Sequence, residues 1–162
     1  MGIDRRGIQE GRHPVIVIGD NVRDWMHRNS GGEFTARDAT CLGWHDGQRL
    51  VAGVAYTDFN SANVFMHVVG IGKRWLRREF LRACFDYPFN RLKVARVTGA
   101  VAASNMAARR FDEHLGFTLE TTLQGAHPTG DLLVYVLWKK DCRWLTLAQG
   151  EQSGKVISTA SA

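Results

Sequence analysis

The sequence predicts a mixed α/β (α+β) fold, in which a mostly antiparallel central sheet is flanked by helices. Short β-branched runs alternate with turn signals in the first half, and two helically spaced segments surround a Val- and Ala-rich run in the second half. The predicted strands cover residues 14–18, 40–45, 50–56, 64–69, 94–101, 117–123 and 132–138. The predicted helices cover residues 22–28, 73–86 and 106–115.

The first half of the chain is typical of an antiparallel meander. Asp46-Gly47 lies between two short apolar runs and is a strong hairpin signal, and a second turn follows at residues 60–63. Earlier in the chain, Asp20 and Asn21 can cap a short helix that ends at Ser30-Gly31-Gly32. The strands on either side of these turns are therefore expected to pair antiparallel.

A parallel strand pair is expected in the middle of the chain. Apolar residues recur at helical spacing over residues 73–86, and Pro88 is expected to end that helix. The strand at 94–101 should then lie parallel to the strand at 64–69, because the helix between them carries the chain back along the sheet, and this crossover should be right-handed.

The last predicted helix has signals at both ends. Ser104-Asn105 supplies capping side chains immediately before residues 106–115, and Gly116 can adopt the left-handed conformation that closes a helix. Two further strands, joined through residues 127–130, complete the predicted sheet.

Length and charge limit the classes of function. The chain has 162 residues, of which 44% are hydrophobic, so we expect one domain over residues 1–148 and a flexible tail over residues 149–162. The formal net charge of +5 suits an anionic cofactor with nucleotide phosphates or a nucleic acid, and it is equally compatible with solubility alone.

The expected compartment is the cytoplasm. The sequence has no apolar run long enough to span a bilayer, and residues 1–13 lack the apolar stretch of a signal peptide. Cys41, Cys84 and Cys142 are odd in number and widely spaced, which indicates reduced thiols and not a disulfide framework or a zinc site. We therefore expect no membrane association and no metal.

The stretch with the most specific pattern is residues 96–117. A strand leads to Asn105, a helix with the small residues Ala107 and Ala108 follows, and Gly116-Phe117 closes it. This order resembles the second half of the Gcn5-related N-acetyltransferase domain. An Asn at a helix N-terminus brings its amide and free backbone donors to a polar ligand, and small residues let a thin ligand approach the helix.

The resemblance extends over about residues 50–145. Glu120 after the Gly-Phe pair, and the run Phe85-Asp-Tyr-Pro-Phe89, are similar to the branch that acetylates ribosomal-protein N-termini and antibiotics. Residues 141–145 are similar to small acetyltransferase-like proteins of bacteriophages.

The resemblance implies an acetyl-CoA-dependent N-acetyltransferase, in which an amine attacks the thioester directly. The cofactor-binding residues that it implies are Val68, Val69, Gly70, Gly72, Lys73, Arg74, Asn105 and Ala108. The implied catalytic groups are Asn105, the backbone N–H of Val69 or of its neighbour Val68 as oxyanion donor, and His67. Asp58 or Glu120 could take the proton that the amine loses.

The sequence departs from the family pattern in the loop that binds the pyrophosphate of CoA. Gly72 stands where the family has Arg or Gln, and Lys73, Trp75 and Arg77 stand where small residues are usual. Lys73 and Arg74 are expected at the N-terminus of the helix, where its dipole favours phosphate.

A second departure concerns the proton donor. Asp112 occupies the position of a Tyr that protonates the departing thiolate in many family members. Because Arg109 and Arg110 precede it, we expect Asp112 to be ionised and unable to donate. His67, Tyr56 and Tyr135 are the other candidates, so no single side chain is expected to be an indispensable acid.

Alternative functions remain open at this point. The fold could serve as a catalytically degenerate binding module for an acidic partner or a nucleic acid, or the acceptor could be a nucleic-acid base. The expected partner is a small-molecule or protein amine that the sequence does not specify, and a homodimer is left open.

Overall fold

One mixed sheet carries all the strands of the computed structural model, which describes residues 13–145 and 156–158. The strands are β1 Val15–Ile18, β2 Thr40–His45, β3 Leu50–Thr57, β4 Asn63–Gly70, β5 Arg96–Ala102, β6 Thr118–His127, β7 Gly130–Trp138 and β8 Val156–Ser158. The helices are α1 Asp20–Asn29, α2 Arg78–Asp86 and α3 Met106–Leu115. Across the sheet the strand order is β6-β7-β5-β4-β3-β2-β1-β8.

The sheet confirms the predicted fold class. β1 to β4 form an antiparallel meander, β5, β7 and β6 pair antiparallel, and β4 and β5 join the two parts as a parallel pair. Within the predicted tail, residues 156–158 pair parallel with β1. The rest of the tail lies outside the described residues.

The helices cover opposite faces of the sheet. α2 and α3 pack on one face over a large apolar core that includes Phe80, Phe85 and Leu115. α1 packs on the other face through Val22 and Met26. No described helix is long and apolar enough to cross a membrane.

Gly53 of β3 allows α1 to approach the sheet. A Cβ atom at this position would lie 2.6 Å from Cγ of Met26, closer than non-bonded carbons approach. The absence of a side chain at Gly53 therefore lets α1 pack directly on β3, which leads into the site described below.

α2 begins later than the sequence predicts. The helix was expected from residue 73, but it begins at Arg78, and residues 71–77 form turns. The physical reason is Trp75, whose indole N–H donates to the carbonyl of Gly72 at 2.9 Å. Its ring is buried and packs near Phe80, so a tertiary contact outweighs the helical spacing of the segment.

The end of α2 also differs from the prediction. Pro88 was expected to end the helix, but a π-helical turn, Tyr87–Arg91, continues the helical path through it. Pro88 has no N–H to donate to the carbonyl of Cys84, four residues earlier, and the hydroxyl of Tyr56 donates to that carbonyl instead at 2.6 Å.

The other two helices follow the sequence closely. α3 has the predicted bounds, with Asn105 as N-cap and Gly116 in the left-handed conformation at φ 106°. α1 begins at Asp20, two residues before the predicted start, so Gly19 takes the N-cap position that was expected at Asp20 or Asn21. The hairpin of β6 and β7 is longer than predicted and turns through Pro128 and Thr129.

Candidate active site

A cleft opens where the two parallel strands in the middle of the sheet separate. β4 and β5 pair at Asn63–Arg96, Val64–Val97 and Phe65–Thr98. Beyond this point β4 continues to Gly70 and β5 continues to Ala102, with no pairing recorded between them in the described structure. The resulting cavity has a volume of about 320 Å³.

The cleft brings together most of the residues that the sequence analysis singled out. Its lining includes His67, Val68, Val69, Gly70, Asn105 and Ala108. Gly72, Lys73 and Arg74 do not line it. Phe111 and Asp112 of α3 also line the cleft, as does Gly99 of β5.

The register of β3 and β4 decides which backbone groups face the cleft. Ile71 N–H donates to the carbonyl of Val51 at 2.8 Å, which makes that pair a hydrogen-bonded one. Hydrogen-bonded pairs recur every second residue in an antiparallel ladder, so Val69 is bonded to Gly53. The N–H of Val68 points the other way, towards β5. Of the two neighbouring residues considered from the sequence as oxyanion donor, Val69 and Val68, only Val68 directs its N–H into the cleft in this register.

Asn105 stands at the mouth of the cleft and caps α3. Its Oδ1 accepts a hydrogen bond from the N–H of Ala108 at 3.1 Å. The oxygen is therefore committed to the helix, and the amide nitrogen is the part of this side chain that can serve a ligand.

The cleft passes through the sheet, so different residues line it on the two faces of the sheet. Alternate residues of a strand point to opposite faces. On the face covered by α3 the cleft meets Ala108 and Asp112, and on the face covered by α1 it meets His67.

A second cavity, of about 500 Å³, adjoins the cleft on the α1 face. Glu33, Phe34 and His67 line both cavities. Two further carboxylates, Asp38 and Asp58, line the second cavity alone. Three carboxylates around one cavity favour a cationic occupant.

His67 lies at the junction of the two cavities. Its Nε2 is 3.0 Å from Oγ1 of Thr57, and its ring centroid is 5.4 Å from that of Phe34. Burial lowers the pKa of His67, although the charge of Asp58 opposes the shift. The imidazole is therefore neutral near pH 7.

A chain of hydrogen bonds crosses the mouth of the site. Nε2 of His127, at the end of β6, lies 3.3 Å from a carboxylate oxygen of Glu33. Nδ1 of the same ring lies 2.9 Å from Oγ1 of Thr129, which is 2.9 Å from Oγ of Ser104. The hairpin of β6 and β7 thus links the loop after α1 to the loop before α3.

Comparisons with known proteins bear on this architecture. No protein-family model matches the chain, and no curated protein is detectably similar to it in sequence. A variant of spermidine N-acetyltransferase SpeG from Vibrio cholerae superposes with a TM-score of 0.67 at 14% identity, over 85% of this chain and 99% of that chain. Its dodecameric form in an intermediate state gives 0.64 at 14% identity, over 85% and 99% of the two chains. Its complex with manganese ions gives 0.63 at 15% identity, over 78% and 92%.

The chain shares its fold with these N-acetyltransferase structures. At this level of identity the similarity establishes the architecture alone, so the roles of individual residues depend on the geometry of the cleft.

The loop after β4, residues 71–77, has a different conformation from the one predicted from the sequence. Lys73 and Arg74 were expected at the N-terminus of α2, but α2 begins four residues after Arg74, and both side chains lie in the exposed turn before it. The first backbone bond of α2 runs from Leu81 to Arg77 at 2.9 Å. The N–H groups of residues 78–80 consequently have no acceptor within the helix.

Trp75 packs behind two residues that line the cleft, Gly70 and Phe111. Its indole covers Gly70, and its ring centroid is 5.5 Å from that of Phe111 on α3. In the family pattern a small residue is usual at the position of Trp75. Here the indole occupies the space between the end of β4 and α3.

The pKa of Asp112 differs from the sequence prediction that this carboxyl is ionised. Burial raises the pKa of its carboxyl to about 7, and the charge of Glu113 adds to the shift. The arginines that were expected to lower this pKa do not do so. The guanidinium of Arg109 turns back to the carbonyl of Ala103 at 3.2 Å, and Arg110 is exposed.

The remaining candidates from the sequence lie outside both cavities. Glu120 binds Arg96 through both carboxylate oxygens, at 2.8 and 2.6 Å, and this contact lowers the pKa of Glu120. The buried hydroxyl of Tyr56 donates to the carbonyl of Cys84 at 2.6 Å, and that of Tyr135 donates to Glu113 at 3.1 Å. These contacts give all three side chains structural roles.

Proposed function

We propose that this protein transfers the acetyl group of acetyl-CoA to the amine of a cationic acceptor. The observation that carries the proposal is the cleft between β4 and β5. The N–H of Val68 points into this cleft, and Asn105, the N-cap of α3, lies beside it. A thioester carbonyl directed at the Val68 N–H would gain a hydrogen bond as negative charge develops on its oxygen.

The donor would enter from the α3 face of the cleft. The backbone groups of Val68 and Gly70 that point towards β5 have no strand partner there, and the small side chain of Ala108 leaves room for a thin chain. The phosphates of CoA would lie near the free N–H groups at the start of α2, with Lys73 and Arg74 close by in sequence.

The acceptor would enter from the α1 face through the second cavity. Glu33, Asp38 and Asp58 attract a cationic amine, and His67 stands where that cavity meets the cleft. An ammonium must lose a proton before it can attack, and the neutral imidazole of His67 or the carboxylate of Asp58 can receive it. The similar solved structures are of an enzyme named for the polyamine spermidine, and a polyamine suits this cavity.

Catalysis would depend mainly on position. A cleft that passes through the sheet lets donor and acceptor meet at the split strands from opposite faces, and holding two reactants in line can supply roughly 7 kcal/mol or more of the barrier.

The test combines binding with turnover. Acetyl-CoA should bind in calorimetry, and the wild-type protein should release thiol with spermidine or another diamine, with the acetylated amine seen by mass spectrometry. Ala108→Trp should fill the cleft and abolish binding. Ala107→Trp, on an exposed position of the same helix turn, is the matched control and should bind normally.

Two outcomes would contradict the proposal. Equal binding by the two Trp variants would mean that CoA does not occupy this cleft. Binding of a DNA duplex that falls steeply with salt, without any affinity for acetyl-CoA, would indicate a polyanion-binding module instead.

A further inference from the structure

We propose that the carboxylic acid of Asp112 donates a proton to the thiolate that leaves when the amine attacks the thioester. This inference rests on the acetyl transfer proposed above, and it assigns Asp112 a catalytic role that the sequence analysis denied it.

The position of Asp112 supports the role. Asn105, Ala108 and Asp112 are spaced three and four residues apart, so they share the face of α3 that lines the cleft. Opposite them lies Gly99, the first residue of β5 beyond its last pair with β4. A Cβ atom on Gly99 would be 3.6 Å from Oδ2 of Asp112, so the carboxyl rests over the backbone where the strands begin to separate.

The surroundings keep this carboxyl available for proton transfer. Within the described residues, no hydrogen bond or ion pair engages its oxygens. The neighbouring carboxylate of Glu113 is turned to the hydroxyl of Tyr135 at 3.1 Å, and the guanidinium of Arg109 is held at Ala103. With a pKa of about 7, a substantial fraction of Asp112 is protonated at neutral pH.

Asp112 also lies on the correct side of the sheet. The groups that can receive the proton of the amine, His67 and Asp58, belong to the α1 face, while Asp112 belongs to the α3 face from which the thioester enters. The two faces therefore separate the base from the acid, as a reaction that removes one proton and supplies another requires.

The chemical step balances. The lone pair of the neutral amine forms a C–N bond to the thioester carbonyl, and the charge on oxygen is held by the N–H of Val68. When the intermediate collapses, the C–S bond breaks, its electron pair stays on sulfur, and the proton of Asp112 moves to sulfur to give the free thiol. The attacking nitrogen carries a positive charge once the C–N bond has formed, and it loses a proton to His67 or Asp58 on the α1 face. Exchange with water then delivers one proton to the Asp112 carboxylate, so both the base and the acid are restored.

The energetics suit this transfer. A thiol ionises near pH 8.5 in water, so a carboxylic acid with a pKa near neutrality is strong enough to protonate the thiolate. The same acid regains its proton readily at working pH, which is the condition for efficient general acid catalysis.

The decisive variant is Asp112→Asn, which keeps the shape of the side chain and removes the acid. With acetyl-CoA as donor, kcat should fall by about a hundredfold or more, while the Kd for CoA stays unchanged. With the acetyl thioester of 4-nitrothiophenol, whose thiolate leaves without protonation, the variant should match the wild type. Asp112→Glu, which retains an acid, should recover most of the rate on acetyl-CoA.

A structural role makes different predictions for the same variants. It requires equal losses with both donors, and it requires Glu to be at least as damaging as Asn, because the longer side chain crowds Gly99. Either result, or an Asp112→Asn variant as active as the wild type on acetyl-CoA, overturns the proposal. Asp141→Asn, an exposed acid away from the cleft, is the control for loss of charge.

The experiment separates this inference from the function on which it rests. A wild-type protein that releases no thiol with any amine would defeat the acetyl transfer itself. An active wild type with a fully active Asp112→Asn variant would defeat the proton donor alone.

Discussion

The indole of Trp75 covers the backbone of Gly70 so closely that a Cβ atom at position 70 would lie 2.4 Å from the ring. Gly70 is the last residue of β4, and Trp75 reaches from there to Phe111 on α3. The contact therefore holds together three parts of the site: the end of the cleft, the turn before α2 and the face of α3.

Gly70→Ala should destabilise the protein by about 1–3 kcal/mol, because the added methyl group displaces a buried ring. Gly99→Ala is the matched control, since a Cβ there meets no atom closer than 3.6 Å. Thermal unfolding of the two variants checks the prediction. Equal melting temperatures for Gly70→Ala and the wild type would show that Trp75 is not anchored on Gly70.

Asn105→Ala should lower activity more than stability. The lost bond to Ala108 should cost about 1 kcal/mol of folding free energy. Asn105→Ser retains a capping oxygen and removes the amide, so it should fold like the wild type and still acetylate slowly. The measurements are thermal stability and acetylation rate per folded molecule. If Asn105→Ser is as active as the wild type, Asn105 is only a cap.

Lys73 and Arg74 remain candidates for phosphate contacts despite their position before the helix. Replacing both with Ala should raise the Kd for CoA and reduce its dependence on salt, because fewer ion pairs form on binding. Arg82→Ala, on the exposed surface of α2, is the control for general loss of positive charge. Calorimetry at two salt concentrations gives the answer, and an unchanged Kd would leave the pair as surface charge.

The acidic cavity makes a prediction about the acceptor. Asp38→Asn should raise KM for a diamine while leaving KM for acetyl-CoA unchanged. Asp38 lines the acidic cavity but not the cleft, and it is not one of the two groups proposed to take the proton of the amine. Kinetics with a diamine and with a monoamine of equal length should show a loss for the diamine only. An equal loss for both amines would argue against recognition of a second charge.

Local signals were sufficient to predict α3 and the fold class. Asn105 caps the helix and Gly116 closes it, and each acts through its own backbone and side chain, so both ends could be predicted from the sequence. The parallel pair of β4 and β5 followed from the strand–helix–strand order, in which the helix carries the chain back along the sheet. These features depend on residues close together in the chain.

The sequence predictions failed where contacts between residues that are distant in the chain determine the structure. The start of α2 is displaced because Trp75 packs on Gly70 and Phe111, and helical spacing alone contains no information about that contact. The charge state of Asp112 depends on burial against β5 and on the direction that Arg109 takes, and neither is visible in the sequence of α3. The acidic cavity likewise assembles from loops that are separated in the chain.

The final prediction concerns how stability depends on pH. The pKa of Asp112 is raised from 3.8 in the unfolded chain to about 7 in the folded protein. Well below pH 3.8 the carboxyl is protonated in both states and has no effect on stability. As the pH rises towards 7, the unfolded chain releases this proton and the folded protein retains it, so the folded state is penalised. The penalty reaches its full size above pH 7 and is at most about 4 kcal/mol, with partial exposure reducing it.

Asp112→Asn abolishes this titration, so the variant should gain stability relative to the wild type as the pH rises. Denaturant unfolding at several pH values measures the difference in free energy, and groups common to both proteins, such as His67, cancel in it. The two proteins should differ least well below pH 3.8, and the variant should be more stable by roughly 1–3 kcal/mol near pH 8. A difference that does not change with pH would mean that Asp112 ionises normally in the folded protein, and it would remove the protonated carboxyl on which the proton transfer depends.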